Sequence, residues 1–281
     1  MHVQISPFCA RMLYSTLAIA CLLTMRPGFA DTLIRTGGTG SAVRAISDLG
    51  AAFKHTRPGT DIVVLQGLGS GGAVKALAAH ALDLGLTARP LKPAERSQSL
   101  QEVEVARSPL VFAGVKTYPA LTLAKVADIY AGKQQAWPDG STLRLILRPE
   151  GDSETAVLRA VSPVMDHAIA SALARPGMHV ALADDEAVTA LQSVPGAFGL
   201  TTLAMLIPES RPIHALALDG VTPSVATLSN GRYRLAKPLY LVVRADAPEP
   251  VRALVSFIQS PRGAKILASH GYQPISTAGR Y

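Results

Sequence analysis

Residues 61–86 read DIVVLQGLGSGGAVKALAAHALDLGL, and the order of residue types in this stretch decides the fold. Ile62, Val63, Val64 and Leu65 make the unbroken apolar run of a buried strand. Gly67 to Gly72 is a glycine-rich turn, Ala73 to Ala81 has the composition of a helix, and Leu82 to Leu86 returns to strand. Strand, short turn, helix and strand in that order describe a parallel sheet with right-handed crossovers.

The same grammar continues on both sides. Thr32 to Arg35 reads as a strand and Thr36 to Ser41 as a glycine turn. Ala42 to His55 reads as a helix, with Ala42, Val43, Ile46, Leu49 and Phe53 at helical spacing before Arg57-Pro58-Gly59 breaks it. Downstream, a polar stretch from Arg96 to Glu104 precedes an apolar run from Pro109 to Gly114, which opens a second region with helices near 121–131 and 154–174. Leu239 to Val243 forms a late strand, and Val251 to His270 reads as closing helices interrupted near Pro261. The expected organisation is a leader over 1–30, a first lobe over 31–108, a second over 109–235, and a return of 236–281 to the first lobe.

The leader has its own composition. Arg11 is the only fixed positive charge before an apolar run from Met12 to Met25, and Gly28-Phe29-Ala30 offers a small-x-small cleavage site. That run is shorter than the roughly 20 residues a spanning helix needs, so a signal peptide cut after Ala30 and export to the periplasm are expected. Leu17 to Cys21 is the competing lipoprotein box, and three more apolar residues and a second cleavage site beyond Cys21 weigh against it. Cys9 and Cys21 both lie in the leader, so the exported chain has no thiol for a disulfide, a thiolate metal site or a nucleophile.

Of 27 Lys and Arg residues, Arg11 and Arg26 also fall in the leader, leaving 25 against 20 Asp and Glu, a formal charge of +5. The basic residues are scattered and aromatics make up only 5% of the chain, which argues against a nucleic-acid partner. A mild attraction for anions is the safer inference.

Three turns share one physical design: each follows a strand, is built from Gly, Ser or Thr, and opens a helix. They are Thr39-Gly40-Ser41, Ser70-Gly71-Gly72 and Gly151-Asp152-Ser153-Glu154-Thr155. The first amides of a helix lack internal partners and the helix dipole is positive there, so such turns suit an oxyanion. The same residues are also ordinary capping and turn residues. Before the third turn, Arg148 ends the strand Leu143 to Leu147, where its guanidinium fork could pair with oxyanion oxygens and Glu150 could hold it.

The ordered set of segments resembles the phosphate-type solute-binding proteins of ABC transporters over nearly all of residues 32–275. The segments that carry the likeness are Ser70-Gly71-Gly72, Leu84 to Lys92, Leu121 to Trp137 with Gly132-Lys133, Arg148 to Thr155, Pro195 to Gly199, Tyr233 to Tyr240 and Ser260 to Pro274. The resemblance implies an α/β, two-lobed periplasmic binding protein fold of type II, each lobe a mainly parallel sheet flanked by helices and joined by a hinge. It implies a receptor and not an enzyme, an ABC permease as membrane partner, and no metal or organic cofactor. It also implies hydroxyl donors at Ser41, Ser70, Ser153 and Thr155 and positive charge at Arg148. The candidate ligand-binding set is Thr39, Gly40, Ser41, Ser70, Gly71, Thr87, Arg89, Arg148, Gly151, Asp152, Ser153 and Thr155.

One position departs from the pattern. Where the family places an Asp that accepts the proton of hydrogen phosphate, this chain has Ala88 between Thr87 and Arg89. The identity of the oxyanion is therefore open, and Asp152 reads either as a helix cap or as a substitute acceptor.

Three rival readings carry less. Gly67-x-Gly69-x-x-Gly72 matches a dinucleotide fingerprint, but the next strand ends in Thr87-Ala88-Arg89 with no acid to hold a ribose. A periplasmic hydrolase would need a nucleophile and base, and there is no Gly-x-Ser-x-Gly elbow and no pair of histidines at metal spacing. A sensor subunit presenting ligand state to a membrane kinase would use the same lobes, so residue patterns do not separate it from a transport receptor.

Overall fold

The structure is a computed structural model that describes residues 32–96, 99–207 and 212–275. The leader, its cleavage after Ala30 and the Cys21 alternative lie outside the described residues. Its elements in chain order are β1 (Thr32–Gly38), α1 (Val43–Thr56), β2 (Thr60–Leu65), α2 (Gly69–Ala78), β3 (Leu84–Thr87), β4 (Leu100–Gly114), α3 (Leu123–Tyr130), β5 (Arg144–Leu147) and α4 (Ser153–Arg159). They continue with α5 (Pro163–Ala174), β6 (His179–Val180), α6 (Asp184–Ser193), β7 (Ala197–Thr202), β8 (His214–Ala215), β9 (Ala236–Arg244), α7 (Glu249–Gln259), α8 (Pro261–Ser269) and β10 (Gln273–Pro274).

The strands run in the order β2-β1-β3-β9-β4-β7-β5-β6, with β8 and β10 beside β4. Parallel pairing is confined to β2-β1-β3 on one side and β7-β5-β6 on the other. The strands between them, β9 and β4, are antiparallel to their neighbours.

β4 is the common spine. Up to Pro109 it pairs with β9, and from Leu110 onward it pairs with β7. Pro109 has no N–H to donate to a ladder, which suits the point where one partner gives way to the next. Cores form on the two portions separately. Ile34, Ile46, Leu49, Leu86 and Leu241 are buried around the first, and Leu110, Phe112, Leu147, Ile169 and Phe198 around the second. In the second, Phe112 stacks on Phe198 at 5.6 Å, Trp137 meets the Phe198 edge at 6.0 Å, and the Trp137 indole N–H donates to the Gly196 carbonyl at 2.9 Å. Each such buried side chain contributes about 1.5–3 kcal/mol.

Several boundaries differ from the sequence expectation: β1 runs on to Gly38 through residues read as turn, and α2 begins at Gly69 inside the glycine run. The helix expected over 154–174 is two helices, because Ser162 accepts the Met165 amide as an N-cap and Pro163 starts α5 afresh. The polar stretch from Arg96 to Glu104 contains the start of β4. Its acids face partners there, since Glu102 pairs with Arg96 and Glu104 with Arg107. At the end of β1, Gly38 has φ +150°, and a Cβ on it would lie 1.9 Å from the Leu86 carbonyl oxygen. Only glycine lets β1 pass β3 this closely and deliver Thr39 to the sheet end.

Candidate functional site

At the carboxyl ends of β1, β2, β3 and β5 a cleft of about 410 Å³ separates the two portions of the sheet. The β1–β3 side presents Gly38 to Gly40, the run Gly67 to Gly72, Arg89 and Lys92, and the facing side presents Arg148, Gly151 to Ser153 and Leu182 to Asp185. Lys237, on the spanning strand β9, forms part of the floor.

The middle turn is the most open. A Cβ added at Gly67, Gly69 or Gly71 would meet nothing within 4 Å, and the same holds for Gly151 across the cleft. Helix α2 begins there with no side-chain cap, so its first amides face the opening without a protein acceptor from a capping residue. The Ser70 hydroxyl accepts the Ala88 amide at 2.9 Å, which leaves its own proton free to turn toward the cleft. Ala88 lies beneath it and is buried. Opposite, Ser153 occupies the first position of α4 and lines the same space.

The floor holds five charged groups. Arg148 donates from Nη1 to the Ala181 carbonyl at 2.9 Å and from Nη2 to Asp152 at 2.9 Å and Asp184 at 3.4 Å, and its Nε lies 3.5 Å from Glu154. Lys237 donates to Asp184 at 2.8 Å and to Glu154 at 3.0 Å. Asp184 Oδ2 also accepts the Ser41 amide at 3.0 Å and the Thr39 hydroxyl at 3.4 Å. Arg148, Glu154, Asp184 and Lys237 are all buried.

Two of these carboxylates compete for one ammonium. Burial alone would raise the Asp184 carboxyl, but Lys237 and Arg148 outweigh it and hold Asp184 well below the usual range. Burial wins at Glu154, whose carboxyl is pushed up to about 7 despite the opposing pull of Lys237 and Arg148. Burial would lower the Lys237 ammonium, and Asp184 and Glu154 reverse that and raise it.

A pH dependence follows. Between the ordinary value of 4.5 and about 7, the folded protein keeps a proton on Glu154 that the unfolded chain has released. Folding stability from this group is therefore greatest below that window and falls as pH rises through it, by about 3 kcal/mol in all at roughly 1.4 kcal/mol per unit. Asp184, shifted the other way, gives up its contribution only as pH falls below about 4. Urea unfolding at pH 5 and pH 8 should show this loss in the natural chain and a flatter response in Glu154→Gln.

Several sequence expectations are corrected here. Glu150 does not hold Arg148; it is exposed and pairs with Arg159 at 3.0 Å, while Asp152, Glu154 and Asp184 hold the guanidinium. Thr87 is fully buried and donates to the Arg89 carbonyl at 2.8 Å, and Thr155 is buried and reaches the Arg148 carbonyl at 3.4 Å, so neither hydroxyl faces the cleft. The Ser41 hydroxyl lies 3.2 Å from the Thr39 hydroxyl and borders a neighbouring groove instead. Arg89 does line the cleft, but its fork is engaged at 2.7 Å by both oxygens of Glu95. Asp152 is the N-cap of α4, accepting the Glu154 amide at 2.8 Å through one oxygen and Arg148 through the other. Thr39, Gly40, Ser70, Gly71, Arg148, Gly151, Asp152 and Ser153 are brought together around the opening.

Glu154, Asp184 and Lys237 escaped the sequence reading. Lys237 had a signal, a charge two residues before the apolar strand residues Leu239 to Val243. Asp184 had only a weak one, because Asp184-Asp185-Glu186 reads as ordinary acids in the first turn of a helix.

Two part-sheets sharing long central strands, with helix-opening turns converging on the cleft between them, define a two-lobed periplasmic binding protein fold of type II. The sequence profile of the PBP superfamily domain matches residues 27–262, and the chain belongs to that family. A solved structure from Clostridium perfringens, described as a phosphate ABC transporter substrate-binding protein with bound phosphate, is similar at TM-score 0.76 and 20% identity, covering 87% of this chain and 100% of that one. An ABC-type phosphate transport receptor from Vibrio cholerae is similar at TM-score 0.63 and 19% identity, over 86% and 99% of the two chains. Among curated proteins, Phosphate-binding protein PstS 2 of Streptococcus agalactiae is 24% identical over 95 residues, which is 34% of this chain and 31% of that protein. The chain thus aligns with about a third of the length of the curated relatives it matches. No helix among the described residues is long and apolar enough to cross a membrane.

Proposed function

We propose that the chain is the substrate-binding protein of an ABC transporter, exported through the leader over 1–30, with phosphate or a related small oxyanion as its cargo. The observation that carries this reading is the cleft: the glycine turn Gly67 to Gly72 and the uncapped start of α2 face Gly151 and Ser153 across empty space. Backbone amides at a helix start, small residues that allow close approach, and hydroxyls from both sides are the groups that replace an oxyanion's hydration shell. The names of the relatives support the same cargo and the same partner, a membrane permease.

In this reading the ligand touches Ser70, the amides of Gly69 to Gly72, Gly151 and Ser153, with Arg89 and Lys92 at the rim. Arg148 serves from below as part of the charged floor. The lobes divide near 108/109 and 235/236, where β4 changes partner and β9 begins, and those two strands are the hinge.

A ligand that binds only the folded state stabilises it by about 2.7 kcal/mol at a hundred times its Kd. For a chain of this size that corresponds to a rise in Tm on the order of 5–10 °C. A thermal-shift series with phosphate, sulfate, arsenate, molybdate, phosphonates and small carboxylates on the 31–281 chain should show such a rise for one oxyanion class. A flat series across all of them would remove the receptor reading.

A further inference from the structure

The turn Thr39-Gly40-Ser41 has the construction of an anion cradle, and an anion already lies in it. Asp184 Oδ2 takes the Ser41 amide at 3.0 Å and the Thr39 hydroxyl at 3.4 Å, while Oδ1 takes Lys237 at 2.8 Å and Arg148 at 3.4 Å. The carboxylate is buried, at 6% exposure, and so are its donors Thr39, Ser41, Arg148 and Lys237. The fit is close: a Cβ on Gly40 would stand 2.9 Å from Oδ2, so glycine at this position admits the carboxylate.

The location gives the contact its meaning. Thr39 and Ser41 follow β1, at the end of the first part-sheet, whereas Asp184 opens α6, which packs on β7 and β5 of the second. The bond from the Ser41 amide to Asp184 therefore crosses the cleft from one lobe to the other. Elsewhere in the cleft a Cβ added at Gly69, Gly71 or Gly151 would meet nothing within 4 Å. A charge-assisted hydrogen bond across the cleft adds to the packing of Ala204 into the first core beside β4 and helps hold the two bodies together.

We infer that Asp184 is an internal ligand: its carboxylate occupies the Thr39–Ser41 turn, latches the two lobes together in the absence of cargo, and excludes an external oxyanion from that turn. Cargo then binds beside the latch, against Ser70 and Ser153. The exclusion of cargo from the turn rests on the proposed receptor function. The latch does not, because it concerns the chain without ligand.

The test is small-angle scattering of the ligand-free 31–281 chain and of Asp184→Ala, with phosphate titration by calorimetry on both and on Asp184→Asn. The latch requires a compact natural chain and a larger radius of gyration for Asp184→Ala that shrinks when phosphate is added or, if phosphate does not bind, stays large. Vacating the turn should also tighten phosphate by about tenfold or more in Asp184→Ala, and by less in Asp184→Asn, whose carboxamide loses the charge but still fills the turn. If Asp184→Ala fails to fold, the double change Asp184→Ala with Lys237→Met removes the buried ammonium with its partner and gives the same comparison. Superposable scattering curves for the natural chain and the folded variant would overturn the latch. An open variant with no phosphate binding in any chain would uphold the latch and count against the receptor reading, so the two fail separately.

Discussion

Replacing Lys237 by alanine is expected to destabilise the folded protein by about 3–5 kcal/mol, because the change leaves the Asp184 carboxylate buried without its ammonium and removes the donor to Glu154. Glu154 is 1% exposed and Asp184 6%, and neither can turn to solvent without unpacking α4 or α6. The loss exceeds that of an exposed ion pair, typically under about 1 kcal/mol, since water does not replace the missing partner. Urea denaturation at pH 7 would read it directly. The double change Lys237→Ala with Asp184→Asn should lose less than the two single changes combined, since the second removes the charge that the first leaves unpaired. Additive losses would mean that the side-chain volume of Lys237 matters and its charge does not.

Arg148→Ala should cost a similar amount, about 3–5 kcal/mol, and principally as stability. The guanidinium bridges Asp152, Glu154 and Asp184 and ties the end of β5 to the Ala181 carbonyl, so among the described residues it is the group that touches all three acids of the floor. Arg148→Lys should not restore the loss, because an ammonium offers no planar fork to reach an acid on each side and the carbonyl as well. Thermal unfolding of both variants checks this. If Arg148→Ala melted with the natural chain and only lost oxyanion affinity, Arg148 would be a ligand group and the charged floor would not be structural.

The alternation of strand, glycine turn and helix was legible from Asp61 to Leu86 because each element there is specified locally, by an apolar run, a glycine-rich stretch, and helical composition. The same locality explains why β1, β2, β3 and β9 were found where apolar runs stand. The start of β4 was hidden because Gln101, Glu102 and Glu104, which follow Leu100, are polar and break up the apolar pattern. The three anion-type turns were legible as turns, and all three line the cleft in the structure, the first through Thr39 and Gly40. What each turn binds was not legible. Asp184 fills the first, and the floor is assembled from residues 148, 152, 154, 184 and 237, spread over the turn between β5 and α4, α4 itself, α6 and β9, so no spacing rule connects them. Arg89 illustrates the same limit: its charge was visible, but its engagement by Glu95 depends on a chain reversal that puts the two side by side.

The measurement that bears most directly on the receptor assignment is calorimetric titration of the 31–281 chain with phosphate, repeated on Ser70→Ala. The expected result is saturable one-to-one binding that weakens by about 0.5–1.5 kcal/mol, roughly twofold to twelvefold, when the Ser70 hydroxyl is removed. Absence of any saturable heat with phosphate and its oxyanion analogues, or binding indifferent to Ser70, would contradict an oxyanion site between the lobes.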